Sequence, residues 1–149
     1  MPSSQLIVLN LDPSLSEYSG STTIDINIVK STETIKLYSK NLSITSVAIA
    51  NEDNTKPLAV IETNKYDITS LSAKAKITVG KYQLSLSFKG KYTNTGSGLF
   101  KVTESNEKYL FTQFQTMMAR TVFPSFDQPN FKIPFQFKSI FWGFVFGVP

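Results

Sequence analysis

Histidine and cysteine are both absent from this 149-residue chain. Without cysteine there is no disulfide framework and no thiolate metal site. Without either residue a catalytic zinc loses its usual ligands, and the Ser-His-Asp and Cys-His arrangements lose their base. A Ser-Lys pair survives by counting, but no G-x-S-x-G or S-x-x-K context accompanies it. The segment GKYTNTGSG has the glycines of a phosphate loop but not its Gly-Lys-Ser/Thr ending, so it reads as a hairpin loop.

Long apolar runs are also missing. None approaches the roughly 20 residues of a membrane helix, and the opening MPSSQLIVLNLDP lacks a basic region followed by a long apolar stretch, so it does not read as a signal peptide. The charge, +4 at pH 7, is modest, and the lysines are spread along the chain rather than gathered in a stripe. That argues against nucleic acid as a partner. The lack of cysteine suits a reducing compartment, and a cytoplasmic location is the expectation. Asn41-Leu42-Ser43 matches a glycosylation sequon, read as chance in the absence of a secretory signal.

What the chain does have is alternation. Ile24, Ile26 and Ile28 alternate with Thr23, Asp25 and Asn27; Tyr82, Leu84, Leu86 and Phe88 alternate with Gln83, Ser85 and Ser87. A period of two puts one face on a core and the other in water. Leu6–Leu11, Thr34–Tyr38, Leu42–Ile49, Leu58–Thr63, Lys76–Val79 and Tyr109–Phe114 also read as strands, rich in residues that suit a pleated surface. Asp12-Pro13, Ser19-Gly20, Glu52-Asp53-Asn54, Gly80-Lys81 and Asn94 to Gly98 read as turns between them. One domain of all-β class follows, an antiparallel sandwich or barrel. At most, Thr116–Arg120 makes one helical turn. Hydrophobic residues at 41% suffice for a core. The acidic pairs Glu104 with Glu107, and Asp25 with Glu33, read as solvated loop carboxylates, because acid–base work needs a cleft that pushes two such groups apart.

The stretch TQFQTMMARTVFPSFDQPNFKIPF, Thr112 to Phe135, departs from the strand pattern. Proline restricts the backbone at Phe123-Pro124 and Gln128-Pro129. Asp127 between them is placed to fix a turn, and Arg120 is expected to pair with it, since a planar guanidinium suits carboxylate and carbonyl oxygens together. Gln113 and Gln115, two apart, share a face if the strand continues through them. Phe131–Phe137 resumes strand character, with Pro134 implying an edge or bulge.

This stretch resembles the end of the N-terminal domain of M1 zinc aminopeptidases, the aminopeptidase N family, whose pattern is close to T-Q-[FMC]-[EQ]-x-x-x-A-R-x-x-F-P-C-x-D-E-P-x-x-K-x-x-F. Thr112, Gln113, Phe114, Gln115, Ala119, Arg120, Phe123, Pro124, Asp127, Pro129, Lys132 and Phe135 fit it. Upstream, the strand pairs around Tyr18 and Gly20, IKLYSKNLSITSV, and GKYQLSLSFKGKYTNTGSGLFKV resemble the family in the same order, so the likeness covers about residues 5 to 137.

The resemblance implies a saddle-like all-β domain laid against a thermolysin-like catalytic domain. It implies that Gln115 helps hold the substrate's free α-amine and Gln113 lines the pocket for the first side chain. Arg120, Phe123, Pro124, Asp127 and Pro129 then shape the loop. Ser125 stands where the family has Cys, Gln128 where it has Glu, and Met117-Met118 replaces a commoner small or acidic pair. The family's zinc motif, exopeptidase loop and transition-state tyrosine have no counterpart in these residues. The implied activity, removal of N-terminal residues from peptides, therefore needs a catalytic domain that carries the zinc. By itself the chain is expected to hold no metal, contain no catalytic residue and hydrolyse nothing.

After Phe137 the likeness stops, and KSIFWGFVFGVP is almost wholly apolar. This divides the chain into a β domain, 1–137, incomplete at its C-terminus, and a divergent tail, 138–149. The tail reads as a frameshift, premature stop or alternative ending, or as a last strand folding back on the sheet. Self-association through an exposed edge or the tail is expected. The competing reading is a stand-alone β-sandwich interaction module.

Overall fold

The computed structural model describes residues 1–52 and 54–142. Asp53, inside the anticipated Glu52–Asn54 turn, and the apolar stretch from residue 143 onward lie outside the described residues.

Among the described residues eleven strands follow in order: β1 (Pro2–Leu11), β2 (Glu17–Ile28), β3 (Thr32–Tyr38), β4 (Ser43–Ala50), β5 (Thr55–Pro57), β6 (Ala59–Thr63), β7 (Ile68–Ile77), β8 (Gly80–Lys91), β9 (Gly98–Glu104), β10 (Glu107–Gln113) and β11 (Phe135–Phe141). The one helical element among the described residues is a 3-10 turn at Ala119–Thr121. A six-stranded sheet runs β11-β1-β2-β8-β4-β5, a three-stranded sheet β3-β7-β6, and β9 pairs with β10 alone. The pairings are antiparallel except that of β11 with β1.

Local chemistry sets the hairpins. Ser105 and Asn106 both have positive φ, 50° and 67°, between the facing residues Glu104 and Glu107. A two-residue turn of this hand matches the twist of the strands it joins. Glu104 and Glu107 therefore close an exposed hairpin, in keeping with their reading as solvated carboxylates. The β1–β2 connection is held by the Asp12 carboxylate, which accepts from the Ser14 N–H at 2.8 Å and the Ser14 hydroxyl at 2.6 Å. These bonds hold the Asp12 carboxyl below the usual carboxylate range.

The two alternating runs behave as their period requires. Ile24, Ile26 and Ile28 of β2 and Leu84, Leu86 and Phe88 of β8 are buried on one face of the large sheet. Two separate covers share that face. Ile35, Leu37, Leu71, Ala73 and Ile77 of the small sheet pack over one end. Leu99 of the β9–β10 hairpin, with Val122 and Phe123, packs over the other, against Ile7, Leu9, Leu11, Tyr18 and Phe88. Each fully buried aliphatic or aromatic side chain contributes about 1.5–3 kcal/mol by leaving water. Two glycines make room in the second cluster. A Cβ at Gly20 would sit 2.6 Å from the Phe88 ring, and one at Gly90 would sit 2.3 Å from the Tyr18 hydroxyl.

The strand expected at Lys76–Val79 instead ends at Ile77 and begins at Ile68. Its inward residues Thr69, Leu71 and Ala73 include a small and a polar side chain, so the alternation is muted. The resumption expected at Phe131 begins only after Pro134 and runs on to Phe141. Pro134 has no N–H to give, yet its carbonyl accepts from Gln5 N at 3.1 Å, which starts the β11–β1 pairing. Lys138–Phe141 thus belong to the edge strand of the large sheet.

Candidate functional site

Strand β10 delivers the distinctive segment. Its side chains alternate, so Leu110 and Thr112 face the second core cluster while Tyr109, Phe111 and Gln113 face outward. The strand stops at Gln113, opposite Gly98 of β9. Gln115 therefore lies beyond the strand, and its link to Gln113 is a hydrogen bond. The Gln113 side-chain Oε1 accepts from the Gln115 backbone N–H at 3.1 Å. The side chains of both glutamines are exposed. Between them Phe114 turns inward, with its ring centroid 5.9 Å from that of Phe123, edge to face, and 6.5 Å from that of Phe137. The Gln115–Thr116 peptide bond is cis.

The chain then winds tightly. Met118 N donates to Phe114 O, and Val122 N and Phe123 N both donate to Ala119 O. This single turn buries Arg120, which is only 7% exposed. Its Nε and Nη2 both reach Asp127 Oδ2 at 2.8 Å, and Nη2 also donates to the Asp127 carbonyl at 3.3 Å. The guanidinium lies 4.2 Å from the Tyr38 ring centroid, a cation–π stack that suits arginine.

The loop from Arg120 to Asp127 is tied to the body of the domain at several independent points. The Arg120 carbonyl accepts from Lys40 N at 2.8 Å. The Tyr18 hydroxyl donates to Val122 O at 2.9 Å. Ser125 and Tyr38 exchange both backbone bonds, at 2.8 and 3.0 Å. Gln5 Nε2 donates to Pro124 O at 2.9 Å and to Thr22 Oγ1 at 2.8 Å. Phe123 is buried, with ring contacts to Phe135 and Phe137 as well. Pro129 sits in an exposed turn closed by Phe131 N on Gln128 O at 2.9 Å. A loop fixed at this many points positions its ends without further cost when something docks on it.

Several of these anchors were not legible as site residues in the sequence. Gln5 precedes the expected strand yet lies in phase with its inward residues Ile7, Leu9 and Leu11, and it is 2% exposed. A glutamine in an apolar phase was the available signal. Its orientation is fixed, because Thr22 Oγ1 spends its own proton on Leu6 O at 3.0 Å and must accept from Gln5. Gln5 Oε1 and Ser125 Oγ are buried with no partner among the described residues. Burial pushes the Tyr18 phenol well above its ordinary range, and the neighbouring Tyr92 upward as well.

No group of three metal-ligating side chains occurs among the described residues, and the chain has no histidine or cysteine to build one. These residues do not fit a catalytic zinc. What they offer is a rigid loop with two exposed amides at its start, beside an apolar outward face. On that face Phe100 stacks on Phe111 at 5.6 Å, and Val102, Tyr109 and Phe111 are exposed.

The family model described as the peptidase M1 N-terminal domain matches residues 2–142. The chain belongs to this family. Puromycin-sensitive aminopeptidase of Caenorhabditis elegans is 31% identical over 136 residues, 85% of this chain and 14% of the relative. Human endoplasmic reticulum aminopeptidase 1 is 31% identical over 129 residues, 80% of this chain and again 14% of the relative. Aminopeptidase N of Acetobacter pasteurianus is 25% identical over 141 residues, 91% of this chain and 39% of the relative. The chain thus spans about a seventh of the length of the first two. The M1 N-terminal domain accounts for the all-β architecture. No helix among the described residues is long and apolar enough to cross a membrane.

Proposed function

We propose that this domain supplies Gln113 and Gln115 to the peptide-binding site of an M1 aminopeptidase whose zinc and catalytic groups lie in other residues. The observation that carries the proposal is the anchored loop. Gln113 Oε1 holds Gln115 N at 3.1 Å at the head of a segment pinned by the buried Arg120–Asp127 pair. In this reading the Gln115 amide oxygen accepts from the substrate α-amine, and Gln113 borders the first side-chain pocket. The pattern Arg120, Phe123, Pro124, Asp127, Pro129 holds the loop and touches no substrate. The exposed Val102, Tyr109 and Phe111 face is where a catalytic domain packs. The unit concerned is residues 1–137, with Lys138–Phe141 of the divergent stretch continuing its edge strand. A cytoplasmic location goes with this reading, since a chain free of cysteine needs no oxidising compartment.

The competing reading is a stand-alone β-sandwich interaction module, favoured by the same exposed hairpin face and by the apolar edge at β11. That edge also gives the chain a route to self-association. One experiment separates the two readings. Residues 1–142 replace the matching domain of the Caenorhabditis elegans relative, and peptide hydrolysis is measured for the chimera and for the isolated chain with added zinc. The proposal expects turnover by the chimera, none by the isolated chain, and a rise in KM of about ten- to a hundredfold for Gln115→Ala, the worth of one hydrogen bond to a charged group. Turnover by the isolated chain, or a chimera indifferent to Gln115, would overturn it.

A further inference from the structure

The two core clusters of this domain meet at a polar seam. Phe123 packs into the second cluster and Phe126 against the first, and Pro124 and Ser125 cross between them. On the large sheet Thr22 stands between Gly20, which lies against Phe88 and Leu9 of the second cluster, and Ile24 of the first. Gln5 of β1 pairs with Ile24, which sets it diagonally across from Thr22. Gln5, Thr22 and Ser125 are each at most 2% exposed.

The hydrogen bonds at this seam leave two oxygens over. The Gln5 amide nitrogen has two protons, and both are used, on Pro124 O at 2.9 Å and on Thr22 Oγ1 at 2.8 Å. Both partners can only accept there. Pro124 O is a carbonyl, and Thr22 gives its own proton to Leu6 O at 3.0 Å. The orientation of the amide is therefore fixed, and the atom left over is the acceptor Oε1. The other is Ser125 Oγ, on the residue that follows the Pro124 carbonyl. Neither oxygen has a partner among the described residues. A buried acceptor without a donor loses its hydration and gains nothing for it, and such atoms are rare in folded proteins.

We propose that Gln5 Oε1 and Ser125 Oγ hold one internal water molecule between the two core clusters. The occupant has to be a donor, because Oε1 can only accept. It has to be small and enclosed as the chain folds, because both oxygens are closed off from solvent. A metal cation would bring charge among oxygens that are all neutral, with no carboxylate at the seam to offset it. Water meets these demands. It donates one proton to Gln5 Oε1, accepts the Ser125 hydroxyl proton, and has the second lone pair of the Pro124 carbonyl for its other proton. Three bonds are typical of a buried water. With O–H···O bonds of about 2.8 Å it spans oxygens up to roughly 5.5 Å apart, so the two side chains need no direct contact. The water then ties β1 to the Pro124–Ser125 peptide from inside. This inference is independent of the role given to Gln113 and Gln115, whose side chains are exposed.

Two measurements on the full chain test it. The unmodified chain is crystallised and its electron density inspected at Gln5. Long-lived internal waters are counted in solution by oxygen-17 relaxation dispersion, for the unmodified chain and for Ser125→Cys kept reduced. The expected density is a water about 2.8 Å from both oxygens. In Ser125→Cys the longer C–S bond and the bulkier sulfur take the place of the water. The count should fall by one while the far-ultraviolet circular dichroism spectrum stays unchanged. Should that variant fail to fold, the density of the unmodified chain decides alone. A direct bond between Gln5 Oε1 and Ser125 Oγ, a Gln5 Oε1 with no water against it, or a count that a folded Ser125→Cys leaves unchanged would each overturn the proposal.

Discussion

Replacing Arg120 by Met tests whether the loop is held from within. Met keeps most of the aliphatic volume and removes the guanidinium. The change strips Asp127 of two contacts at 2.8 Å to its Oδ2 and one at 3.3 Å to its carbonyl, and it removes the stack on Tyr38 at 4.2 Å. Breaking a buried pair by removing one partner costs roughly 3–5 kcal/mol. The Asp127 side chain keeps 29% exposure, so water recovers part of that loss. The lost stack adds about 0.5–1 kcal/mol. A net loss of about 3 kcal/mol follows. For a domain of this size each kcal/mol moves Tm by about 2–4 °C, so Tm should fall by about 6–12 °C, with a matching fall in the urea midpoint at constant slope. Asp127→Ala should cost a similar amount, and the double variant should cost less than the sum by about 1–3 kcal/mol, the coupling expected of contacting residues. A loss below about 1 kcal/mol for Arg120→Met, or strict additivity in the double variant, would refute the reasoning.

Other expectations follow from the same contacts. Tyr18→Phe removes the bond to Val122 O and should cost about 1–2 kcal/mol by chemical denaturation. Because burial raises the Tyr18 and Tyr92 phenols above their ordinary 10.0, the unfolded chain ionises first. Stability is then fully present below about pH 10 and falls as the pH climbs from there through the folded-state values. Urea midpoints taken upward from about pH 8 should show this decline, and Tyr18→Phe should flatten it; a midpoint independent of alkaline pH counts against a buried phenol. Gly90→Ala drives a methyl into the Tyr18 ring, 2.3 Å from its hydroxyl, and should cost about 1–3 kcal/mol in a thermal melt; an unchanged Tm would mean that the second cluster is looser than its contacts suggest.

The fold was legible where alternation was strong. Ile24, Ile26, Ile28, Leu84, Leu86 and Phe88 declare their buried face through period two alone. It was obscure where the inward phase holds small or polar residues. Thr69 and Ala73 hid most of β7, and the three-residue β5 is too short for any period. The parallel placement of β11 beside β1 depends on a long return across the molecule, which local pattern does not encode. The Arg120–Asp127 pair was readable because two opposite charges interrupt an apolar stretch. The anchors from Gln5, Tyr18, Tyr38 and Lys40 were not, since each lies roughly 80 or more residues away along the chain and only folding brings them to the loop.

The most direct test of the proposed role compares two inhibitors on the chimera carrying residues 1–142. One is an amino-acid hydroxamate, and the other is the same hydroxamate without its α-amino group. If Gln115 holds the α-amine, Gln115→Ala should weaken the first by about ten- to a hundredfold and leave the second unchanged, so that the preference for a free amine shrinks. Equal weakening of both, or of neither, would contradict the assignment of this loop to the substrate's N-terminus.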